Sequence, residues 1–184
     1  WLLENSGMDW NGAMFEYRRA LELSPGNLQT KFSVASMLAL QGQLTQAIKM
    51  SGEAIALNPM SPNWWNWYSA YLSALGRLDD AEAAIRKSIA LRPQGNSTWA
   101  QLAIIQIQRG DANAALEAAN NEPAGVWHDI ARAMALQIGK DRASADAALQ
   151  QLITEYGDVA AYQIAQVHAL RREDNEVFDW LQKE

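Results

Sequence analysis

The chain has 184 residues, 49% of them hydrophobic, which is enough apolar surface for one core of ordinary size. Its formal net charge is −6 and its pI is near 4.9, so it lacks the basic surface that binds phosphates, and we expect no nucleic-acid partner. The chain contains no cysteine, which excludes disulfides and cysteine-based metal sites or nucleophiles. No apolar run approaches the roughly 20 residues needed to span a bilayer, so membrane insertion is not expected.

The two ends of the sequence favour a piece of a longer protein. The chain begins at Trp1, and its last residues, "DWLQKE", are typical of the middle of a helix. Missing targeting segments therefore carry no information about the parent protein. The absence of cysteine fits a reducing or an oxidising compartment equally, and the sequence leaves the compartment undetermined, with the cytoplasm slightly favoured.

Three prolines recur at a fixed spacing. Pro25, Pro59 and Pro93 stand 34 residues apart, in "SPGN", "NPMS" and "RPQG". If the proline is position 32 of a 34-residue unit, small residues recur at positions 8, 20 and 27. These small residues are Ala35, Ser69 and Ala103, then Ala13, Ala47 and Ala81, then Ala20, Ala54 and Ser88. The chain is therefore predicted to be built from like units.

Each unit is predicted to be a pair of amphipathic helices. Apolar residues within each half fall at spacings of three, four and seven, which is the helical period. Gly42, Gly76 and Gly110 lie between the halves, where a tight turn with positive φ suits glycine. The proline ends the second helix, because it has no N–H and restricts the residue before it. The small residues allow two helix backbones to approach closely.

The densest aromatic stretch is "NWWNWYSAY", at 63–71. Trp65 occupies position 4 of its unit and is expected in the core. Trp64 and Trp67 cannot share its face, because residues one and two apart on a helix diverge. At least one of the three is therefore expected to be partly exposed. Contact within the fold or with a partner is favoured over a ligand cage.

Beyond Gly110 the register slips. Pro123 follows after only about two helical turns of "GDANAALEAANNEP", so the second helix of this unit is predicted to be short. Trp127 restarts the pattern, and a last helix pair follows. In that pair Arg172 stands where glycine is expected, and Val177 replaces the usual small residue. These departures predict a less regular geometry in the C-terminal pairs.

The period and its small and large positions resemble the tetratricopeptide repeat (TPR). The resemblance implies an all-α fold, a right-handed superhelix (solenoid) of about five to six antiparallel helix pairs in a single array over 1–184. The expected units are a partial first repeat at 1–26, repeats at 27–61, 62–95 and 96–123, and divergent repeats at 124–157 and 158–184, the last one truncated.

Some stretches are more specific than the generic repeat. "DWNGAMFEYRRALELSP" and "ADAALQQLITEYGD" are similar to TPR regions of multidomain bacterial signalling proteins. In those proteins the repeats follow class III adenylate cyclase, winged-helix DNA-binding or protein kinase domains. The resemblance implies the interaction or regulatory region of such a protein, and it implies no catalytic residue.

The resemblance also implies a partner-binding groove, because the first helices of stacked pairs line a concave face. The expected groove residues are Gln29, Phe32, Ser33, Ser36, Asn63, Asn66, Trp67, Ala70, Ser97, Gln101, Ile104, Gln108, His128 and Arg132. The three central units place no Lys or Arg there, which disfavours a clamp for a C-terminal carboxylate. A neutral groove of amides, hydroxyls and apolar groups would bind an extended peptide. Trp67 and Ile104 either contact that partner or pack only against a neighbouring helix.

The sequence offers little for catalysis. His168 falls at a packing position and is interpreted as a core residue. His128 and Asp129 are adjacent on a helix, where side chains diverge, so no catalytic dyad is expected. No His/Glu spacing around His128 suits a metal. The chain is predicted to be non-catalytic, without a cofactor or a metal.

Two functions of different classes remain. The first is a scaffold that binds a peptide or protein segment in the groove. The second is homo-oligomerisation, as a homodimer for example, through a last helix that exposes Val177, Phe178 and Leu181.

Overall fold

The computed structural model describes residues 9–183. These residues form helices joined by short connections, and no strand occurs among them. The all-α prediction is confirmed. By its internal contacts the chain divides into two compact units, Trp1–Leu91 and Arg92–Glu184, which we call unit 1 and unit 2.

The described part of unit 1 consists of five helices in which consecutive helices pack against each other. They are α1 (Trp10–Leu23), α2 (Leu28–Leu40), α3 (Leu44–Leu57), α4 (Pro62–Ala74) and α5 (Leu78–Leu91). The helices α1, α3 and α5 each end two residues before one of the spaced prolines, as the proline spacing predicts. Pro62 stands at the start of α4, where its missing N–H costs no helical hydrogen bond.

The predicted glycine turns are confirmed. Gly42 and Gly76 have φ of 74° and 78°, and Gly110 in unit 2 has φ of 77°. After Gly76 the N–H of Arg77 donates to the carbonyl of Leu72 at 2.9 Å, which satisfies one of the free carbonyls at the end of α4. The glycine therefore reverses the chain within two residues.

Most of the small residues lie where helices approach. Ala35, Ala47 and Ser69 have no exposed surface. The hydroxyl of Ser69 donates to the carbonyl of Ala81 at 2.8 Å, which joins α4 to α5. At position 27, Ala54 and Ser88 are buried as predicted, but Ala20 is exposed. The expectation of close packing at Ala20 is wrong, because this side chain faces solvent on α1.

The described part of unit 2 continues with six helices. They are α6 (Thr98–Arg109), α7 (Ala112–Asn121), α8 (Val126–Gln137), α9 (Arg142–Tyr156), α10 (Ala161–Arg171) and α11 (Asp174–Leu181). The helix α7 has 10 residues, against 14 in both α3 and α5. The prediction of a short helix before Pro123 is confirmed.

A buried carboxylate holds the start of α6. Glu122 follows α7 directly and is 3% exposed. Its Oε1 accepts from the N–H of Ser97 at 2.5 Å, and its Oε2 accepts from the N–H of Ala100 at 2.9 Å. These N–H groups belong to the first turn of a helix, which has no carbonyl of its own to bond them. Glu122 therefore caps α6 from a segment more than 20 residues later.

The last two helices are held by a polar network around Arg171. Its guanidinium donates to Glu173 at 2.7 Å, to Asp146 at 2.6 Å and to Gln137 at 3.1 Å. The other oxygen of Glu173 lies 2.7 Å from Nδ1 of His168. His168 is 7% exposed, which confirms its interpretation as a core residue.

The turn before α11 departs from the glycine pattern, as the sequence indicates. Arg172 has φ of 60°, the same left-handed backbone that glycine adopts in the earlier turns. This conformation costs roughly 1–2 kcal/mol for a residue with a Cβ. The turn therefore forms without glycine, at a cost that the surrounding contacts offset.

Candidate functional site

Some of the predicted groove residues lie on α2 and α4, each of which is the first helix of its helix pair in unit 1. None of these side chains is buried, because Gln29, Asn63 and Trp67 are exposed and the rest are half-buried. The half-buried ones are Phe32, Ser33, Ser36, Asn66 and Ala70. The structure therefore leaves every one of them some surface that a partner can contact.

The aromatic members of this set come together. The ring centroids of Phe32 and Trp67 are 6.1 Å apart, with an interplanar angle of 67°. This edge-to-face arrangement is the one that the ring quadrupoles favour. Trp67 also lies 6.3 Å from Tyr71, and it remains 49% exposed. The indole therefore packs against the neighbouring helix and still leaves about half of its surface open.

Tyr71 fixes the base of this aromatic cluster, and it was not among the predicted residues. Its hydroxyl lies 3.1 Å from the hydroxyl of Ser36, and the residue is 5% exposed. Burial raises the pKa of Tyr71, and the hydrogen bond with Ser36 lowers it by less, so the phenol stays neutral. The signal in the sequence is its spacing of four from Trp67, which places both rings on one helix face.

The expectation that Trp65 lies in the core is wrong. It is half-buried, and its indole N–H donates to the carbonyl of Pro59 at 2.8 Å. In unit 2 the equivalent Trp99 donates to the carbonyl of Pro93 at 2.9 Å. Because the indole N–H needs a polar partner, each ring lies beside the turn that precedes its helix. Because Trp67 is half exposed, the expectation of at least one exposed tryptophan is confirmed.

The other predicted groove residues lie at the start of unit 2, on α8 and on or just before α6. Gln108 is exposed, whereas Ser97, Gln101, Ile104, His128 and Arg132 are half-buried. The helices α6 and α8 pack directly against each other, so the predicted residues of α6 and those of α8 lie on neighbouring helices within unit 2. Within unit 2 none of the predicted groove residues is buried either.

His128 and Asp129 contact each other, although the helical spacing predicts that their side chains diverge. Nδ1 of His128 lies 3.0 Å from Oδ1 of Asp129, and the hydroxyl of Tyr156 donates to Oδ2 of Asp129 at 3.2 Å. Both residues stand in the first turn of α8, and their rotamers bring the two side chains together across one peptide. Burial raises the pKa of Tyr156, and its hydrogen bond to Asp129 raises it further.

This cluster orients an imidazole, because Asp129 holds one ring nitrogen. It adds no metal site, since no group of three metal-ligating side chains occurs within residues 9–183.

The helices described between those limits also include none that is long and apolar enough to cross a membrane. Arg132, four residues after His128, adds a cationic group to the same helix.

Comparison with known proteins identifies the repeat. Residues 65–94 match the family model for the tetratricopeptide repeat, and no curated protein matches the chain. A tetratricopeptide repeat protein from Parabacteroides merdae is similar in structure, with 13% identity, a TM-score of 0.68 and coverage of 98% of this chain and 74% of that one. The APC/C hetero-tetramer Cut9–Hcn1 gives 16% identity and a TM-score of 0.72, over 95% of this chain and 36% of that one.

A third similar structure is YrrB, described as a TPR protein with an unusual peptide-binding site. It shares 12% identity and a TM-score of 0.56, over 91% of this chain and 89% of that one. Identities this low establish the fold alone. The family match and the shared fold together confirm the resemblance that the 34-residue period indicates. Residues 65–94 match a tetratricopeptide repeat, and the chain as a whole has the fold of tetratricopeptide-repeat proteins.

Proposed function

We propose that this chain is a non-catalytic scaffold that binds an extended peptide or protein segment through α2 and α4 of unit 1. The tetratricopeptide fold is in general an interaction scaffold and not a catalytic one. YrrB, which shares the fold, is described as having a peptide-binding site, and Cut9–Hcn1 is an assembly of protein subunits. These likenesses support a protein partner.

The single observation that carries the proposal is that Trp67 contacts two neighbouring rings and is still half exposed. Its ring is fixed between Phe32 and Tyr71, and 49% of its surface is open. A held aromatic side chain loses little entropy when a partner covers it, because its rotamer is already set. Aromatic anchors of this kind commonly account for 2 kcal/mol or more, roughly, when truncated at an interface.

Amide residues stand within four residues of Phe32 or Trp67 on the same helices. The amides of Gln29, Asn63 and Asn66 each offer both donors and acceptors, as an extended peptide backbone does. The predicted set on α2 and α4 contains no Lys or Arg. The segment bound there therefore presents an apolar side chain to Trp67 and its backbone to the amides. The residues on α6 and α8, including His128 and Arg132, are proposed as a further contact surface within unit 2.

The experiment is a selection of peptides from a displayed random library, followed by calorimetric titration. Enriched peptides are expected to bind Trp67→Ala roughly 30-fold more weakly, the equivalent of about 2 kcal/mol. Asn66→Ala is expected to weaken binding by a smaller factor. Phe15→Ala is the matched control, because Phe15 is a 61% exposed aromatic residue on α1, outside the proposed surface.

Two results would overturn the proposal. One is that the library yields no peptide that the wild-type chain binds at saturable stoichiometry. The other is that Phe15→Ala and Trp67→Ala reduce binding equally. Thermal unfolding of each variant is measured alongside, since a large fall in Tm for Trp67→Ala would assign the ring to stability.

A second candidate is homo-oligomerisation through α11. This helix buries none of its residues within the described chain, and its Phe178 and Leu181 are 63% and 39% exposed. Light scattering on the wild-type chain and on Phe178→Ser distinguishes the candidates. A dimer that Phe178→Ser dissociates supports self-association, whereas a monomer at all concentrations excludes it.

We also propose that the chain is the interaction region of a larger bacterial signalling or regulatory protein. The support is the similarity of "DWNGAMFEYRRALELSP" and "ADAALQQLITEYGD" to repeats in such proteins. Sequencing the gene upstream of the Trp1 codon tests this directly. An adjoining cyclase, kinase or winged-helix coding region is expected, and an unrelated reading frame would refute it.

A further inference from the structure

Unit 1 contains a cleft among α1, α2 and α3 that shares no residue with the proposed peptide-binding surface. Its volume is ≈ 420 Å³, which is within the roughly 300–1,000 Å³ of small-molecule sites. Val34 and Leu38 form an apolar floor and are 2% and 3% exposed. Leu21 and Met50 are half-buried and form the walls.

Polar side chains surround this apolar interior. Arg18, Glu22 and Gln46 line the same cleft, and all three are exposed. They bring one positive charge, one negative charge and one amide, so the rim carries no net charge. A rim of this composition can donate a hydrogen bond and accept one, and it suits an uncharged polar group such as a hydroxyl.

The neighbouring repeat shows one group that fills the equivalent place. Position 7 is Val34 in one helix pair and Tyr68 in the next, 34 residues later. Arg18, on the other side of the cleft, has Gly52 as its equivalent. The ring of Tyr68 lies against Gly52, since a Cβ built there would stand 3.9 Å from Cε2 and 4.0 Å from the phenolic oxygen. A phenol ring therefore occupies, between α3 and α4, the space that is a cleft between α1 and α2.

Two substitutions accompany the missing ring. Where the filled site has Gly52 and Ala84, the cleft has Arg18 and Met50. Both are long and flexible side chains, and methionine in particular adapts to irregular neighbours at little cost. They line the cleft without filling it, and they can close on a ligand.

We propose that this cleft is a binding site for a small neutral molecule that carries a phenol ring. The ring stacks over Val34 and Leu38 between the walls of Leu21 and Met50. The hydroxyl accepts from Arg18 and donates to Glu22. The site is independent of the proposed peptide surface, because Trp67 takes no part in it.

The test uses p-cresol, which is the tyrosine side chain as a free molecule, and nuclear magnetic resonance of ¹³C-labelled methyl groups. Titration into the wild-type chain is expected to shift the methyl signals of Leu21, Val34, Leu38 and Met50 saturably. The expected dissociation constant is on the order of a millimolar, as befits so small a ligand. Toluene, which lacks the hydroxyl, is expected to bind at least about threefold more weakly, because it forms no hydrogen bond with Arg18 or Glu22.

Two variants make the test specific. Val34→Tyr installs the residue that the next repeat uses, and it is expected to weaken p-cresol binding at least about tenfold by filling the cleft. Tyr68→Val makes the reciprocal change and is expected to create a second site, seen as new shifts at the methyl groups of Ile55 and Leu72. The second variant keeps the test valid if Val34→Tyr fails to fold.

The proposal is overturned if p-cresol produces no saturable shift at these methyl groups. It is also overturned if a folded Val34→Tyr binds p-cresol as the wild type does, or if Tyr68→Val gains no site. Shifts confined to the methyl group of Ala70, on the proposed peptide surface, would assign the ligand to that surface and refute a separate site.

Discussion

Residues 9–91 and residues 92–183 hold their helix ends in different ways. In unit 1 the 34-residue period is kept, and the turns after α2 and α4 use Gly42 and Gly76. In unit 2 the period slips, and charged side chains distant in sequence take part. Glu122 caps α6, and Arg171 joins the end of α10 to α9. Both units close turns with the same backbone bond, from Arg77 to Leu72 and from Glu173 to His168, and unit 2 adds charged side chains to it.

The largest expected effect is that of Glu122→Ala. The change removes the acceptor from the N–H groups of Ser97 and Ala100, and hydrogen bonds to a charged group contribute about 1.5–3 kcal/mol each. We expect the free energy of unfolding to fall by about 3 kcal/mol, measured by urea denaturation. Hydrogen exchange at these two amides should accelerate more than elsewhere in unit 2.

The control for this prediction is Glu117→Ala, on the exposed surface of α7. It removes the same kind of carboxylate five residues earlier in the chain without touching a cap, and it should change stability by less than about 0.5 kcal/mol. Equal losses in the two variants would show that Glu122 acts through general charge and not by capping α6.

Glu122 also shows how far the sequence predicts the fold. The period, the helix pairs, the glycine turns and the short α7 follow from local spacing, because each depends on residues that are close in the chain. The cap does not, since Glu122 and Ser97 are separated by a whole helix pair. The pairing of His128 with Asp129 was also missed, because a helical spacing rule describes where Cβ atoms point and not which rotamer a short side chain takes.

The candidate site divides in the same way. Spacing from the repeat placed Phe32 and Trp67 on one surface, and the structure leaves both accessible. It did not predict the bond between Ser36 and Tyr71, because contacts between α2 and α4 depend on how the two helices pack.

The next effect is a pH dependence in unit 2. Burial alone would raise the pKa of Glu173, but its hydrogen bonds with Arg171 and His168 outweigh burial and lower that pKa. Because the pKa is lower in the folded state, this stabilisation is complete above the unfolded value of about 4.3 and is lost as the pH falls through the folded value. The effect should be smaller than that of Glu122, since a third of the Glu173 side chain, 33%, is exposed.

Urea denaturation of the wild type and of Glu173→Gln from pH 7 to pH 3 measures this dependence. The difference in stability between the two should be largest near neutral pH and should shrink below about pH 4. The side chains facing Glu173 are Arg171 and His168, and Arg171 also bonds Asp146. A difference that stays constant over this range would mean that Glu173 does not titrate with a lowered pKa.

A smaller effect is expected in unit 1, from Ser69→Ala. Ser69 stands where Ala35 and Ala103 stand in the neighbouring repeats, so the change restores the usual residue of the repeat. It removes the hydrogen bond to the carbonyl of Ala81, and we expect a loss of about 1 kcal/mol in the free energy of unfolding. An unchanged urea midpoint would show that the regular packing of α4 on α5 suffices without the hydroxyl.

The smallest effect concerns the two kinds of turn and has the opposite sign in the two units. Arg172 and Gly76 have φ of 60° and 78°, so both occupy the left-handed region. Arg172→Gly removes a backbone cost of roughly 1–2 kcal/mol but adds the entropy that glycine loses on folding, roughly 0.5–1 kcal/mol. We expect a net gain of about 0.5 kcal/mol from Arg172→Gly and a similar loss from Gly76→Arg, measured by urea denaturation. A Cβ at Gly76 meets no atom within 4 Å, so the loss reports backbone conformation and not a clash. If Arg172→Gly instead destabilised the chain, the arginine side chain would have to stabilise unit 2 by more than its backbone costs, and charged contacts would then extend to this turn as well.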